Sequence, residues 1–518
     1  MSERAWHARE AGLPAFVRNV GSRYALIVVN LLIGLVVLPY NLSHLGKSDY
    51  GLWALAASLT TYFTILDLGY GGAVVRFVAE YKARKDARAL NELLSTMFFL
   101  YCGIAIACYV VAIGAAAALP YVVNLEPGQA FTGRVVLLII AVQVTLYFPF
   151  SVFGGVINGF ERYYVNNVVA TAFNIATALV NVLVLWLGYG LVELVMATTF
   201  MRILPMWAYR YNAYAVFPDL QLKWELVRRE RLRQVTGFSV YLAAIDWSAR
   251  LTYATDAIYL GIFMNMAAVG VYAIAQRLAE ALLRMTNQLH TFLFPAVIYR
   301  AVEGRTEGQQ KLLITANRFQ LAVAVCLCGS VAAMADVLIP AWVGPEFEGS
   351  VLAVQILAFV VAVRAWGAMP STVLKGNDQH RYVAAVAAAG AVANLLLSIP
   401  LVKSWGIPGV ALGTAIPVSI TCAGFIFPRA CRQVGLSVAA GYRAIVWPAV
   451  WPALIVLSLL SSTRHLVPGG IVVVLAFMAT GALLYAGLFF RFGLNRTERA
   501  WMTTAVNQLR RPAGLAAA

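Results

Sequence analysis

The chain has 518 residues, of which 61% are hydrophobic and 12% are charged, and its formal net charge is +16 at pH 7. A soluble globular domain carries about 25% charged residues, so this composition excludes an ordinary soluble protein and indicates one that crosses a membrane many times. The basic residues lie at the ends of apolar runs and not on one aromatic-rich face, which argues against nucleic-acid binding.

Apolar runs of about 20 residues, the length that crosses the hydrocarbon core, predict about fourteen helical spans. They fall at 24–44, 50–71, 94–118, 134–157, 166–187, 191–211, 238–262, 267–297, 316–340, 350–373, 382–402, 407–428, 444–462 and 469–490. Alternate loops are rich in Lys and Arg, and by the positive-inside rule these loops and both termini are predicted to be cytoplasmic.

An internal repeat predicts the architecture. The run from Gly51 to Ala56 matches the run from Gly270 to Ala275 at an offset of 219 residues, although chance similarity between apolar helices is the alternative. We therefore expect an all-α polytopic membrane protein with two six-helix lobes related by a pseudo-two-fold axis, followed by two extra helices. The predicted parts are an N-terminal lobe (1–212), a cytoplasmic amphipathic linker (213–236), a C-terminal lobe (237–432) and a segment with two spans and a cytoplasmic tail (433–518).

Charged residues within the spans mark the candidate site, since a charge in mid-membrane costs about 2.5–3.5 kcal/mol on insertion scales. Span 7 carries Asp246, Arg250 and Asp256, and span 8 carries Arg277, Glu280 and Arg284 at spacings of three and four residues. Such spacing makes one polar stripe along a helix. Two interpretations stay open: a water-filled path between the lobes, or pairs that neutralise each other and fix helix packing.

Polar residues also interrupt other spans. Arg23 and Asp67 lie in spans 1 and 2, and a glycine-rich break after Asp67 precedes Arg76, which could instead reach the cytoplasmic headgroups. Arg364 lies in the middle of span 10. Span 5 carries Asn167, Asn174 and Asn181 on one face, for which hydrogen bonding between helices is the simpler explanation and substrate contact the alternative.

Several stretches resemble a known family. They are NVGSRYALIVVN at 19–30, LGKSDYGLWALAASLTTYFTILDLGYGGAVVRFVAEY at 45–81, LNELLST at 90–96, VGVYAIAQRLAE at 269–280 and GIPGVALGTAI at 406–416. Together they resemble the polysaccharide transporter family, flippases of undecaprenyl-pyrophosphate-linked oligosaccharides such as O-antigen units. This family belongs to the same superfamily (MOP) as the multidrug and toxin extruders and the lipid II flippases.

The resemblance implies a carrier of the bacterial inner membrane that opens alternately to either side and passes a sugar-pyrophosphate head through a cationic cavity. Within this sequence the cavity arginines would be Arg23, Arg76, Arg250, Arg277, Arg284 and Arg364. Carboxylates that could take up a coupling proton or sodium ion are Asp67, Asp246, Asp256 and Glu280. We expect no catalytic residue, bound metal or cofactor, a monomeric chain, and partners limited to the lipid-linked oligosaccharide, membrane lipids and, as a further option, the polymerase and chain-length machinery.

Three other functions stay open. A multidrug exporter of the same superfamily would favour an acidic, aromatic cavity over six arginines. A polytopic glycosyltransferase, polymerase or ligase needs larger outward loops with acid and base residues than this chain offers. A membrane scaffold without transport has no use for intramembrane charges, which cost free energy.

Overall fold

A computed structural model of the protein describes residues 13–67, 70–301, 306–467, 469–496 and 498–500. Helices make up nearly all of this part of the chain. The α-helices, in chain order, are α1 (Leu13–Thr61), α2 (Tyr70–Arg84), α3 (Ala87–Val122), α4 (Gln129–Gly159), α5 (Tyr163–Trp186), α6 (Leu191–Val216), α7 (Arg229–Phe263), α8 (Met266–Ala301), α9 (Thr306–Val343), α10 (Val351–Gly376), α11 (His380–Ser419), α12 (Phe427–Gln433), α13 (Val438–Gly441), α14 (Trp447–Thr463) and α15 (Ile471–Leu488).

Short segments of other helical types separate these α-helices. The 3₁₀ segments are Tyr62–Asp67, Trp224–Leu226, Pro345–Ser350 and Arg464–Leu466, and the π segments are Ile420–Ile426, Tyr442–Val446 and Phe489–Gly493. A 3₁₀ stretch inside a longer helix often marks a hinge, and π segments recur at functional positions. The break predicted in span 2 therefore begins earlier than its glycines, at Tyr62.

Eleven helices within the described residues are long and apolar enough to cross a membrane, which confirms an all-helical polytopic protein. Two of these helices contain a residue with non-helical backbone angles, Gly46 in α1 and Gly406 in α11, where two predicted spans join into one continuous element. Span 7 lies within α7 (Arg229–Phe263). The count of fourteen spans stays a prediction.

By internal packing the chain divides into two compact units. Unit 1 comprises Met1–Ala273 and Ala387–Thr414, and unit 2 comprises Ile274–Val386 and Ala415–Ala518. This division groups α7 with the first six helices, whereas the sequence assigns span 7 to the C-terminal lobe. The lobe and linker boundaries at 212, 236 and 432 stay predictions.

Small residues set the helix packing inside unit 1. A Cβ on Gly159 of α4 would lie 2.6 Å from Cβ of Val78 in α2, so only glycine permits this approach. At the crossing of α1 and α8, a Cβ on Gly51 would lie 1.8 Å from the backbone oxygen of Met266. Close contact through small residues is how helices associate where lipid removes the hydrophobic driving force.

A polar ladder joins α1 and α5. Asn167 donates its amide to the Ser22 hydroxyl at 3.0 Å, and Asn174 donates to Asn30 Oδ1 at 2.9 Å. Further along α5, Asn181 Oδ1 accepts a hydrogen bond from Thr198 of α6 at 2.7 Å. Interhelical hydrogen bonding therefore accounts for the asparagines of span 5, as the simpler sequence interpretation predicted.

The segment between α6 and α7 lies along one face of α3. The Asn91 side chain donates to the Asp219 carbonyl at 2.8 Å and accepts from the Gln221 backbone N–H at 3.0 Å. Ser95 of α3 repeats this pattern by donating to the Gln221 carbonyl. Side chains of α3 thus supply hydrogen-bond partners to the backbone of this segment and hold it against the helix.

In unit 2, α9 packs against α10, α14 and α15. Its Arg318 is only 4% exposed and forms an ion pair of 2.8 Å with Glu498, beyond the end of α15. The same guanidinium donates to the backbone oxygens of Ala444 and Gly493, which lie in two of the π segments. The buried Arg318 of α9 therefore binds the π segments that adjoin α14 and α15.

Candidate functional site

The fully buried carboxylate of Asp256 is the centre of a polar cluster within unit 1. Asp256 lies near the end of α7 and accepts hydrogen bonds from the Tyr272 hydroxyl of α8 at 2.5 Å and the Thr414 hydroxyl of α11 at 3.3 Å. Asn394 in turn donates to Thr414 at 2.9 Å. Burying a carboxylate is costly unless hydrogen bonds or a cation compensate it, and two other helices, α8 and α11, supply hydroxyl groups for this one residue.

Two further oxygens of the same helix α11 are buried without a hydrogen-bond partner in the described part of the chain. They are Asn394 Oδ1 and the Ser398 hydroxyl, and both residues are 0% exposed. Ser398 lies close to Gly413, where an added Cβ would come within 2.2 Å of its hydroxyl. Since an unpaired buried polar group costs about 1–3 kcal/mol, these two oxygens fit a site that takes an additional donor or a small cation.

A second carboxylate and tyrosine pair lies on the first helices of unit 1. Asp67 is the last residue of the 3₁₀ segment Tyr62–Asp67, is half-buried, and accepts a hydrogen bond from the buried Tyr101 hydroxyl of α3. A Cβ on Gly71 would lie 3.5 Å from the Asp67 carboxylate. The 3₁₀ segment thus ends at a carboxylate that Tyr101 holds by a hydrogen bond.

Three of the predicted charges come together on α8 in unit 2. Glu280 Oε2 lies 3.8 Å from Arg277 Nη1 and 3.2 Å from Arg284 Nη2. The side chains are 55%, 43% and 60% exposed in the order Arg277, Glu280 and Arg284, so the pairs add little stability. Two guanidinium groups against one carboxylate leave a net charge of +1, which an anion can use.

The other predicted arginines occupy separate places. Arg23 is exposed on α1 beside the polar ladder, and Arg76 is exposed on α2. Arg364 is half-buried on α10, within electrostatic range of the Cys422 thiol. The side chains of Asp246 and Arg250 lie outside the described residues. That these arginines line one cationic cavity stays a prediction.

The sequence analysis did not identify Tyr62, Tyr101, Tyr272, Asn394, Ser398 or Thr414. Asn394 and Thr414 are separated from Asp256 by more than 130 residues, so no spacing rule connects them. The available signal was the polarity of Asn394 and Ser398, four residues apart in an otherwise apolar run. That spacing places both on one face of α11, where a shared ligand would be sought.

The eleven long apolar helices of the described residues define a multi-pass membrane protein, with the buried carboxylate of Asp256 in its interior. The fold is similar to that of a solved lipid II flippase, MurJ, in an inward closed conformation, with a TM-score of 0.71, 11% identity, and coverage of 91% of this chain and 98% of that one. It is also similar to an inward-facing multidrug resistance MATE family transporter of the MOP superfamily, with a TM-score of 0.57, 14% identity, and coverage of 84% and 99%.

Sequence comparison gives the family. The profile described as "Polysaccharide biosynthesis protein" matches residues 16–298, more than half of the chain. A curated relative, "Probable flippase AglR" of Haloferax volcanii, is 21% identical over 399 residues, which are 76% of this chain and 79% of the relative. The chain belongs to the polysaccharide biosynthesis protein family.

Proposed function

We propose that the chain transfers undecaprenyl-pyrophosphate-linked oligosaccharide repeat units from the cytoplasmic to the periplasmic leaflet, for the synthesis of a cell-surface polysaccharide. Family membership supports a glycan pathway, and the relative named as a flippase supports translocation. The observation that carries the substrate class is the pair of guanidinium groups on α8, Arg277 and Arg284, around the single carboxylate of Glu280. Guanidinium forks bind phosphate oxygens through paired charge-assisted hydrogen bonds.

Transport is coupled to a cation at Asp256 in this proposal. The carboxylate is held by two hydroxyl groups, and the oxygens of Asn394 and Ser398 lie unpaired on a neighbouring helix. Such oxygen-rich surroundings suit either a proton on the carboxyl or a sodium ion, a hard cation that prefers oxygen ligands. Either cation neutralises a fully buried charge and therefore favours the conformation that buries it.

Reconstituted transport tests the substrate and the ion together. The full chain is placed in liposomes with a fluorescent polyprenyl-pyrophosphoryl oligosaccharide, and leaflet transfer is followed with an impermeant quencher under imposed sodium or proton gradients. We expect transfer to rise at least threefold with one of the two gradients, and Asp256→Asn to lose that rise. Arg229→Ala, on the linker side of α7, serves as the control and should behave like the parent. A rate of leaflet transfer that changes with neither the sodium nor the proton gradient would contradict ion coupling.

The multidrug exporter is distinguished in the same liposomes. Its fold is shared with this chain, so the fold favours neither substrate. Gradient-driven accumulation of an organic cation such as ethidium, without transfer of the lipid-linked oligosaccharide, would replace the proposed function. An enzymatic polymerase or ligase is set aside, because the relatives are named flippases and transporters.

We further expect a monomer in the bacterial inner membrane with both ends cytoplasmic. Exposed aromatic residues near helix ends, such as Tyr121, Trp186 and Tyr211, have the character of interfacial anchors. Reporter fusions after Lys85 and after Glu126 should read cytoplasmic and periplasmic respectively. Any association with a polymerase or chain-length protein would be sought by crosslinking in cells that make the polymer.

A further inference from the structure

The 3₁₀ segment Tyr62–Asp67 is fastened at both of its ends by hydrogen bonds to different helices. At its first residue, the Tyr62 hydroxyl pairs with the Thr255 hydroxyl of α7 at 2.5 Å. At its last residue, Asp67 accepts from Tyr101 of α3. Thr255 directly precedes Asp256, and Tyr62 also lies within electrostatic range of that carboxylate. All of these residues belong to unit 1.

The segment Tyr62–Asp67 changes length when its helix type changes. A 3₁₀ helix rises about 2.0 Å per residue and an α-helix about 1.5 Å, so rewinding six residues shortens the segment by about 3 Å. Hydrogen bonds in 3₁₀ geometry are also poorer than those of an α-helix, so rewinding to the α form would improve them. The break in span 2 is therefore a candidate two-state element, the kind of structure that carries coupling between sites.

We propose that Tyr62 is the positioning residue that couples cation occupancy at Asp256 to the 3₁₀ segment Tyr62–Asp67, and through it to the Asp67–Tyr101 pair. The inference rests on the proposed ion coupling and adds the route by which the ion acts. A cation at Asp256 redirects the hydroxyl groups around the carboxylate and shifts the end of α7 that carries Thr255. Tyr62 moves with Thr255, while Asp67 stays bound to Tyr101. The 3₁₀ segment between Tyr62 and Asp67 must then rewind or stretch.

The direction of coupling follows from linkage. If the cation favours one form of the segment, then locking the segment in that form raises the cation affinity by the same factor. Tyr62→Phe removes the hydroxyl and keeps the ring, so it cuts this connection while leaving Asp256, Tyr272 and Thr414 in place. The Tyr62→Phe protein is therefore expected to bind the cation, but the bound cation should no longer affect the 3₁₀ segment Tyr62–Asp67.

Hydrogen exchange of the full-length protein tests the inference at two places in one measurement. Exchange is compared in sodium chloride and choline chloride of equal ionic strength, and separately at two pH values in choline chloride. In the parent we expect a threefold or greater slowing of exchange by the coupling cation in peptides that cover 254–263 and in those that cover 62–67. In Tyr62→Phe the slowing should persist at 254–263 and fall below 1.3-fold at 62–67.

Matched variants make the result specific. Thr61→Val removes the neighbouring hydroxyl, which bonds to Ala57 within its own helix at 2.9 Å, and should retain both responses. Thr255→Val removes the other half of the same hydrogen bond and should give the same exchange pattern as Tyr62→Phe. It also provides the test if the Tyr62→Phe protein folds poorly. A parent that protects 254–263 but not 62–67, or a Tyr62→Phe protein that still protects both, overturns the coupling and leaves the proposed function intact. A parent that protects neither place, with either cation, overturns the ion coupling itself.

Discussion

Gly51 and Gly270, which the sequence repeat aligns, touch each other in the structure. A Cβ on Gly51 would meet the backbone nitrogen of Gly270 at 2.9 Å, and a Cβ on Gly270 would meet the backbone nitrogen of Gly51 at 3.3 Å. The contact is reciprocal, since Gly51 faces the Met266 oxygen and Gly270 faces the Lys47 oxygen, and Lys47 and Met266 are also 219 residues apart. The two aligned runs of the repeat therefore pack against each other at these glycines.

Alanine at either glycine should destabilise this conformation. The added methyl group would lie 1.8 Å from the Met266 oxygen in Gly51→Ala and 2.1 Å from the Lys47 oxygen in Gly270→Ala, and overpacking against backbone costs about 1–3 kcal/mol. We expect a fall of several degrees in the thermal unfolding midpoint of the purified protein. Gly34→Ala, where nothing lies within 4 Å, is the control and should be neutral or slightly stabilising. Equal midpoints for all three variants would contradict the close crossing.

The Arg318–Glu498 pair should be essential for stability. Removing one partner of a buried ion pair typically costs about 3–5 kcal/mol, and these side chains are 4% and 11% exposed. Arg318→Met and Glu498→Gln should therefore reduce the yield of monodisperse protein and its unfolding midpoint. The pair Arg464–Asp336, with side chains 39% and 36% exposed, offers the comparison: Arg464→Met should cost below about 1 kcal/mol. Similar losses from both pairs would argue against the buried role.

The α8 cluster should control anion binding through its net charge. Arg277→Ala and Arg284→Ala each lower that charge from +1 to zero, so binding of a lipid-pyrophosphate analogue should weaken about tenfold or more. Glu280→Gln raises the charge to +2 and should tighten binding, with a steeper salt dependence because exposed charges are screened. Titration by calorimetry at two salt concentrations measures both effects. Unchanged affinity in all three variants would remove this cluster from the substrate path.

The hydrogen bonds from Asn91 and Ser95 of α3 should protect the segment between α6 and α7 from proteolysis. Asn91→Leu leaves the Asp219 carbonyl and the Gln221 N–H without their α3 partner, and each lost hydrogen bond costs about 0.5–1.5 kcal/mol. Trypsin should then cut near Lys223 and Arg228 several times faster than in the parent. Asn212→Leu removes a side chain that donates to Ala208 of its own helix and should leave the cutting rate unchanged. Equal cutting rates in the two variants would show that the Asn91 hydrogen bonds do not protect this segment.

Sequence reasoning reached those features that depend on local spacing or on repetition. The approach of Glu280 to Arg277 and Arg284 follows from spacings of three and four residues on a helix, and the structure confirms it. The alignment of Gly51 with Gly270 follows from the repeat. By contrast, Asp256 was identified as a charged residue in a span but its surroundings were not, because Thr414 is 158 residues away. Likewise Asn30 pairs with Asn174, 144 residues away, which no spacing rule connects.

The 3₁₀ segment shows a different limit. Its sequence, YFTILD, has neither proline nor glycine, so no local propensity predicts that the α-helix stops at Thr61. Tertiary contacts at Tyr62 and Asp67 fix its conformation, and such contacts override propensity. The glycines at 69–72, which the sequence analysis identified, lie just beyond this segment.

The position of Arg318 has a consequence for how the protein is made. Arg318 and Glu498 are 180 residues apart in the chain, and at about 5–20 residues per second the ribosome needs roughly ten to forty seconds to synthesise that stretch. During this interval α9 holds an arginine whose counter-charge does not yet exist. Release of a nascent chain before Glu498 would leave that arginine without its counter-charge permanently, and an unpaired buried charge is strongly destabilising.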